Sequence, residues 1–307
     1  GWSRERMTFK FSTLGEADEW RGALEELMDI SFRKFYSMRS QQVGKGSFAS
    51  VHLADDLTTG QTVAVKVVKT PARTPRKRER EEVARNRKFL IRELHILRYI
   101  KHPNIVRTYD IFNCEKDVKV VMEFCEGHLF DTLARQNTLS EAQAASIMRD
   151  ILDAVAYLHS KGIAHRDIKP DNILTTSKVW PMTAKLADFG LSDHALDVSD
   201  KQIDEKVMTS AVGTPIYIAP EVFKHRPYST AVDVWACGVL LYVILSGKPP
   251  FEVRTLSQLR SAVLHRDVKF PAKQWESISD DAILLIRGLM QRDPTKRLTA
   301  IAARNHR

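Results

Sequence analysis

The sequence predicts an α+β chain in which the strands come first and the helices follow. Three observations predict it. Residues 49–68 and 118–124 hold short apolar runs rich in valine and bounded by turn residues, which is the grammar of strands. Beyond Gly127 the apolar residues recur every three or four positions, as on one face of a helix. Ser140 with Gln143, and Ser279 with Asp280 and Asp281, carry helix-start signals in that later part.

The elements follow in order. Met7, Phe9 and Phe11 alternate with polar residues, the period of a strand, and Ser12-Thr13-Leu14-Gly15 reads as a turn. Ala17, Trp20, Leu24, Leu27 and Met28 then share one helical face. A unit of about 30 residues buries too little surface to fold alone, so this piece belongs to a larger domain or packs on its neighbour. From Tyr36 the pattern changes. Val51, Leu53 and residues 62–68 predict strands around a Thr59-Gly60 hairpin turn. Residues 88–100 have helical spacing, and His102-Pro103-Asn104 ends that helix. Residues 118–124 read as a buried strand, the Ser140 helix runs to about His159, and a further helix covers 231–246. No internal repeat is present. A ligand site is expected in the cleft between the two halves.

Bulk properties bound the function. The 307 residues suffice for one large domain or two ordinary ones, and 43% of them are hydrophobic, enough for a core. No apolar run reaches the ~18 residues of a membrane span. The most apolar stretch, Val232 to Leu245, is short and carries Asp233. The charged start, Gly1-Trp2-Ser3-Arg4-Glu5-Arg6, does not read as a secretory leader. Cys114, Cys125 and Cys237 are scattered and form no Cys-x-x-Cys pair. That usage fits a reducing, cytoplasmic setting rather than disulfides or a structural zinc. The net charge of +9 is concentrated around Arg73-Thr74-Pro75-Arg76-Lys77-Arg78-Glu79-Arg80. It therefore does not describe the whole surface, and no nucleic-acid partner is expected. The segment is either a solvated insertion or a patch for phosphoinositides or an acidic partner, which would place the chain peripherally at membranes.

Several motifs carry chemistry. Gly44-Lys45-Gly46-Ser47 lies between two strands, where glycines let backbone N–H groups approach phosphate oxygens. In isolation a plain hairpin turn is the simpler explanation, since Gly-x-Gly hairpins are common. Lys66 ends an apolar strand, and Glu93 sits on the next helix, whose apolar face holds Leu90, Leu94 and Leu97. Then come His165-Arg166-Asp167-Ile168-Lys169-Pro170-Asp171-Asn172 and Asp188-Phe189-Gly190. An Asp, a Lys and an Asn on one short loop, with an Asp on the next, suit two metal ions, a triphosphate and an incoming hydroxyl. A merely polar surface loop does not account for all four at these spacings.

Gly213-Thr214-Pro215-Ile216-Tyr217-Ile218-Ala219-Pro220-Glu221, Asp233-Val234-Trp235 and Asp293-Pro294-Thr295-Lys296-Arg297 complete the order. Residues 36–307 resemble the eukaryotic protein kinase catalytic domain in that order of motifs. The resemblance implies a bilobal fold, with a small β-rich N-lobe at 36–123 and a larger helical C-lobe at 127–307. It implies ATP and Mg2+ as cofactors and protein serine or threonine hydroxyls as substrates. Lys169 and the Gly-Thr-Pro stretch resemble the serine/threonine class. His102-Pro103-Asn104 and Met122-Glu123-Phe124-Cys125-Glu126-Gly127 look like the calcium/calmodulin-dependent group and its calcium-dependent relatives.

The same resemblance implies roles. Asp167, Lys169, Lys66 and Glu93 would be catalytic, and Asn172 and Asp188 would bind metal. Gly44, Gly46, Ser47, Val51, Ala64, Lys66, Met122, Glu123, Cys125 and Leu174 would line the nucleotide. Thr209, Ser210 and Thr214 would lie on an activation loop, with Arg166 placed to pair with a phosphate there. Glu221 and Arg297 would form a structural ion pair. There are departures. Ala49 replaces the third glycine of the loop, and Gly127-His128-Leu129 is a residue shorter than usual and lacks an acid. Asp171 remains to favour basic substrates. Residues 1–33 resemble the last strand and helix of a pleckstrin homology domain, with Trp20 as its characteristic tryptophan. No EF-hand pattern occurs, so a calcium response would need residues outside this sequence. The competing reading, a pseudokinase or scaffold, is opposed by the intact Lys66, Glu93, Asp167, Asn172 and Asp188.

Overall fold

The computed structural model describes residues 32–45, 49–69, 93–113, 117–194, 215–224 and 229–306. The chain divides into two compact units: residues 1–87 with 108–124, and residues 88–107 with 125–307. The class is α+β, as the sequence predicts.

The first unit is a five-stranded antiparallel sheet in the order β1-β2-β3-β5-β4. The strands are β1 (Tyr36–Lys45), β2 (Ala49–Asp56), β3 (Thr62–Lys69), β4 (Thr108–Asn113) and β5 (Asp117–Glu123). The β2–β3 turn forms because Asp56 Oδ1 accepts from the amides of Thr58 and Thr59 at 2.8 and 3.1 Å. Gly60 closes it at φ 70°, where a side chain would be strained. Register decides which residues share a face. Ala64 lies opposite Leu53 and Met122, and Lys66 opposite Val51 and Val120. Neighbours in a strand point to opposite faces. Val63, Val65 and Val121 therefore lie on the other face, where they pack with Ala54, Tyr36 and Phe32.

The second unit is mainly helical. The Glu141–Ser160 helix begins with the reciprocal Ser140–Gln143 capping box read from the sequence. The Ala231–Ser246 helix is apolar all round and buried on nearly every side, as such a helix must be. Gly238 lets it approach its neighbour: a Cβ there would lie 2.7 Å from Met290 and 2.8 Å from Leu289. Gly247 ends it in the left-handed region at φ 69°. The Asp280–Leu289 helix is capped by Ser279, which accepts from the Ala282 amide at 3.1 Å. The 88–100 helix is described over 93–99.

Short strands also occur here: β6 (Gly127–His128), β7 (Ile163–Ala164), β8 (Ile173–Thr175), β9 (Ala184–Leu186) and β10 (Asp193–His194). They form the sheets β6-β8-β9 and β10-β7. The sequence predicts a helix-rich half and points to none of these short strands. Two or three residues show no period, so strands of that length arise only from pairing.

Among the described residues no helix is long and apolar enough to cross a membrane. The strand-turn-helix reading of residues 7–28, the pleckstrin resemblance of 1–33 with Trp20, and the basic 73–80 segment lie outside the described residues.

Candidate active site

The site in the second unit is built on the β8–β9 hairpin. Ile173 pairs with Leu186, so the residues just before Ile173 and just after Leu186 emerge side by side. The Ala187 amide donates to the Asn172 carbonyl at 2.9 Å. The His165 ring Nε2 lies 3.1 Å from the Ala187 carbonyl, and the ring meets Phe189 edge-on at 5.0 Å. The loop of Asp167 and the loop of Asp188 are thus one bonded assembly.

Within it, Lys169 Nζ donates to both Asp167 carboxylate oxygens at 2.9 Å. Asn172 Nδ2 donates to the Asp167 carbonyl at 2.8 Å and to Asp167 Oδ2 at 2.7 Å. Both amide hydrogens of Asn172 are committed, which leaves its Oδ1 as the atom that could hold a cation. Two non-glycine residues here have positive φ: Arg166 at 70° and Asp188 at 61°. Such conformations cost about 1–3 kcal/mol each and persist only where the surroundings impose them. At Asp188 the carboxylate accepts from the Gly190 amide at 3.2 Å. A Cβ on Gly190 would lie 3.2 Å from Asp188 Oδ1 and 3.8 Å from Glu93 Oε2, so both carboxylates flank this glycine.

Arg166 is imposed on from below. Asp233, fully inside the Ala231–Ser246 helix core, accepts from the Arg166 amide at 2.7 Å and the His165 amide at 2.8 Å. His159 Nε2 adds a third contact at 3.0 Å. Burial opposes the Asp233 charge, but the His159 bond, the nearby His165 and the Arg166 amide together hold its carboxyl below the ordinary range. A depressed folded pKa means stability that is full above the unfolded value, about 3.9, and lost as pH falls through the folded value. Asp233→Asn turns one amide N–H toward a buried N–H. We expect it to cost about 1–3 kcal/mol per unsatisfied group near neutral pH, with a deficit that shrinks only in strongly acidic solution. Denaturant melts at stepped pH check this, and a deficit that shrinks already near neutrality would contradict it.

Ser192 is buried, and its hydroxyl donates to the His165 carbonyl at 3.2 Å. Ser192→Ala leaves that carbonyl short of a partner. It should destabilise by about 1 kcal/mol in thermal melts. Sequence reasoning missed both residues as anchors. Asp233 had a signal, a lone charge in an apolar run. Ser192 had none.

The sheet unit places Val51, Ala64, Lys66 and Met122 on one face. Gly44 lies opposite Val51, and Glu123 ends β5. Lys66 belongs to the sheet unit and Glu93 to the helical unit. In the helical unit Cys125 is buried, and Leu174 pairs with His128 on one side and Lys185 on the other. Asp171 is exposed and lies near enough to Tyr217 to help burial raise that phenol's pKa. Gly46, Ser47, Thr209, Ser210 and Thr214 lie outside the described residues.

Residues 37–307 match the protein kinase domain. This chain belongs to the protein kinase family. It is 37% identical over 261 residues to calcium/calmodulin-dependent protein kinase type II of Caenorhabditis briggsae, covering 85% of this chain and 46% of that protein. It is 37% identical over 261 residues to the protein of the same name from Caenorhabditis elegans, covering 85% of this chain and 34% of that one. The chain thus spans less than half the length of these curated relatives. Their likeness supports a serine/threonine kinase domain. Deeper in the helical unit of this kinase domain, Arg297 donates to both Glu221 oxygens at 2.7 and 2.9 Å, with the guanidinium wholly buried.

Proposed function

We propose that this kinase domain transfers the γ-phosphoryl group of ATP to serine and threonine hydroxyls of proteins. One observation carries the reading: the Asp167 carboxylate, held at 2.9 Å by Lys169 and 2.7 Å by Asn172, sits on a loop bonded to the loop of Asp188. Asp167 orients the substrate hydroxyl and accepts its proton. Lys169 contacts the transferring phosphate, and Lys66 contacts the nucleotide phosphates. Gly44, Gly46 and Ser47 offer backbone amides to them. Val51, Ala64, Met122 and Leu174 pack on the adenine, and the main chain at Glu123 and Cys125 hydrogen-bonds its edge.

The donor set fits Mg2+. Asn172 Oδ1 and the Asp188 carboxylate are hard oxygen ligands, and Mg2+ binds through few protein groups plus substrate phosphates. When bound, Mg2+ neutralises charge developing on the phosphate oxygens. The tight positioning by Asp233 and Ser192 suits a reaction in which orientation does most of the catalysis. Phosphorylation near Ser210, read by Arg166, is the proposed regulator. Asp171 gives a modest preference for basic substrates. The 1–33 and 73–80 segments are the proposed contacts to phosphoinositides or an acidic partner.

The test is transfer from radiolabelled ATP to basic serine- and threonine-containing peptides. Label should be incorporated with Mg2+ and lost on chelation. Nucleotide binding without any incorporation would favour a scaffold instead.

A further inference from the structure

Phe32 precedes the stretch matched by the kinase family, residues 37–307, yet it belongs to the hydrophobic core of the sheet unit. It is 2% exposed. Its ring stacks on Tyr36 at 5.6 Å and meets Phe112 edge-on at 5.3 Å. The Lys119 ammonium lies 5.4 Å from the ring centre. Two polar bonds fasten the same stretch. The Leu57 amide donates to the Phe35 carbonyl at 2.8 Å, and the Tyr36 hydroxyl donates to Asp110 at 2.6 Å.

We propose that residues 32–36 are a tether. One face of the five-stranded sheet is a binding surface for the segment just ahead of the kinase domain, and its occupancy tunes nucleotide affinity on the opposite face. The second half of this proposal rests on the function proposed above. Phe32 packs in one cluster with Ala54, Val63, Val65 and Val121. Val63 and Val65 bracket Ala64, and Val121 precedes Met122. A strand is one residue thick and its side chains alternate, so whatever displaces the valines displaces Ala64 and Met122. An aromatic ring buries ~150–250 Å², and close-packed interiors transmit the strain that follows the loss of such a side chain. Any region upstream that pulls on this segment would thereby act on the strands that carry Lys66 and Met122.

The test compares the full chain with Phe32→Ala and Phe32→Leu. It uses hydrogen exchange and calorimetric titration with a non-hydrolysable ATP analogue and Mg2+. In Phe32→Ala, amides of Thr62–Lys69 and Asp117–Glu123 should exchange about tenfold faster. Those of the Ala231–Ser246 helix should not change. The analogue's dissociation constant should rise about threefold or more. Phe32→Leu, which keeps an apolar filling, should fall between, and it carries the comparison if the alanine variant does not fold. Unchanged exchange in both strands would overturn the tether. Faster exchange with unchanged affinity would overturn the coupling. Exchange needs no catalysis, so a chain that exchanges as expected but transfers no phosphate overturns the function and leaves the tether standing.

Discussion

Asp167→Ala should lower the turnover number for phosphate transfer by about 10²–10⁴-fold, the usual contribution of a positioned general base, which is the role proposed for this carboxylate. The reason lies in the bonding around the carboxylate. Lys169 donates to both its oxygens, and Asn172 donates to one oxygen and to the Asp167 carbonyl. The alanine variant keeps the carbonyl bond, so Asn172 stays in place. It loses the group proposed to accept the hydroxyl proton, and it releases Lys169 from its partner. ATP affinity should therefore change little while kcat collapses. Asp167→Asn separates shape from basicity, because it keeps a hydrogen-bonding side chain of the same size without the charge. It should be nearly as impaired. Steady-state kinetics with ATP titrations read both terms. A variant that retained full turnover would remove Asp167 from the mechanism.

Glu221→Ala should destabilise the helical unit by about 3–5 kcal/mol, the cost of leaving one member of a buried ion pair without its partner. Arg297 is held on every side. Its guanidinium donates to Glu221 at 2.7 and 2.9 Å, to the Ala231 carbonyl at 2.7 Å and to the Gln291 carbonyl at 2.8 Å. It also lies 5.4 Å from the centre of the Trp235 ring. The carbonyl bonds keep the cation inside after Glu221 is truncated, so its charge stays buried without a counter-ion. For a domain of this size the loss corresponds to a fall in Tm of about 6–20 °C. The double variant Glu221→Ala with Arg297→Met should recover part of the loss, since no orphaned charge remains. Denaturant melts of the two single variants and the double one measure this. Additive losses would show that the pair is not coupled.

Much of the fold was legible because local chemistry dictates it. Ser140 with Gln143 is a local helix-start signal, and Thr59-Gly60 turns a hairpin because glycine adopts the needed φ without strain. The Ala231–Ser246 helix was legible from composition, since an apolar segment of that length must be buried. The candidate site was legible for another reason: the work proposed for it, holding phosphate, metal and a hydroxyl, leaves few residue types that serve. Asp167, Lys169, Asn172 and Asp188 stand out by identity and spacing before any coordinate is known.

The sequence by itself determined the element types of the long segments and singled out the residues proposed to react. Tertiary structure alone decided the rest. The short strands β6 to β10 exist because they pair, not because of their residues. Phe32 joins the sheet core through contacts with Tyr36 and Phe112, the latter 80 positions away (112 − 32 = 80). Arg166 and Asp188 adopt left-handed backbone that neither residue type announces. Asp233 acts through amides more than 60 positions earlier. Short-range preferences are written residue by residue, whereas strain, burial and long-range hydrogen bonds exist only once distant parts of the chain are brought together.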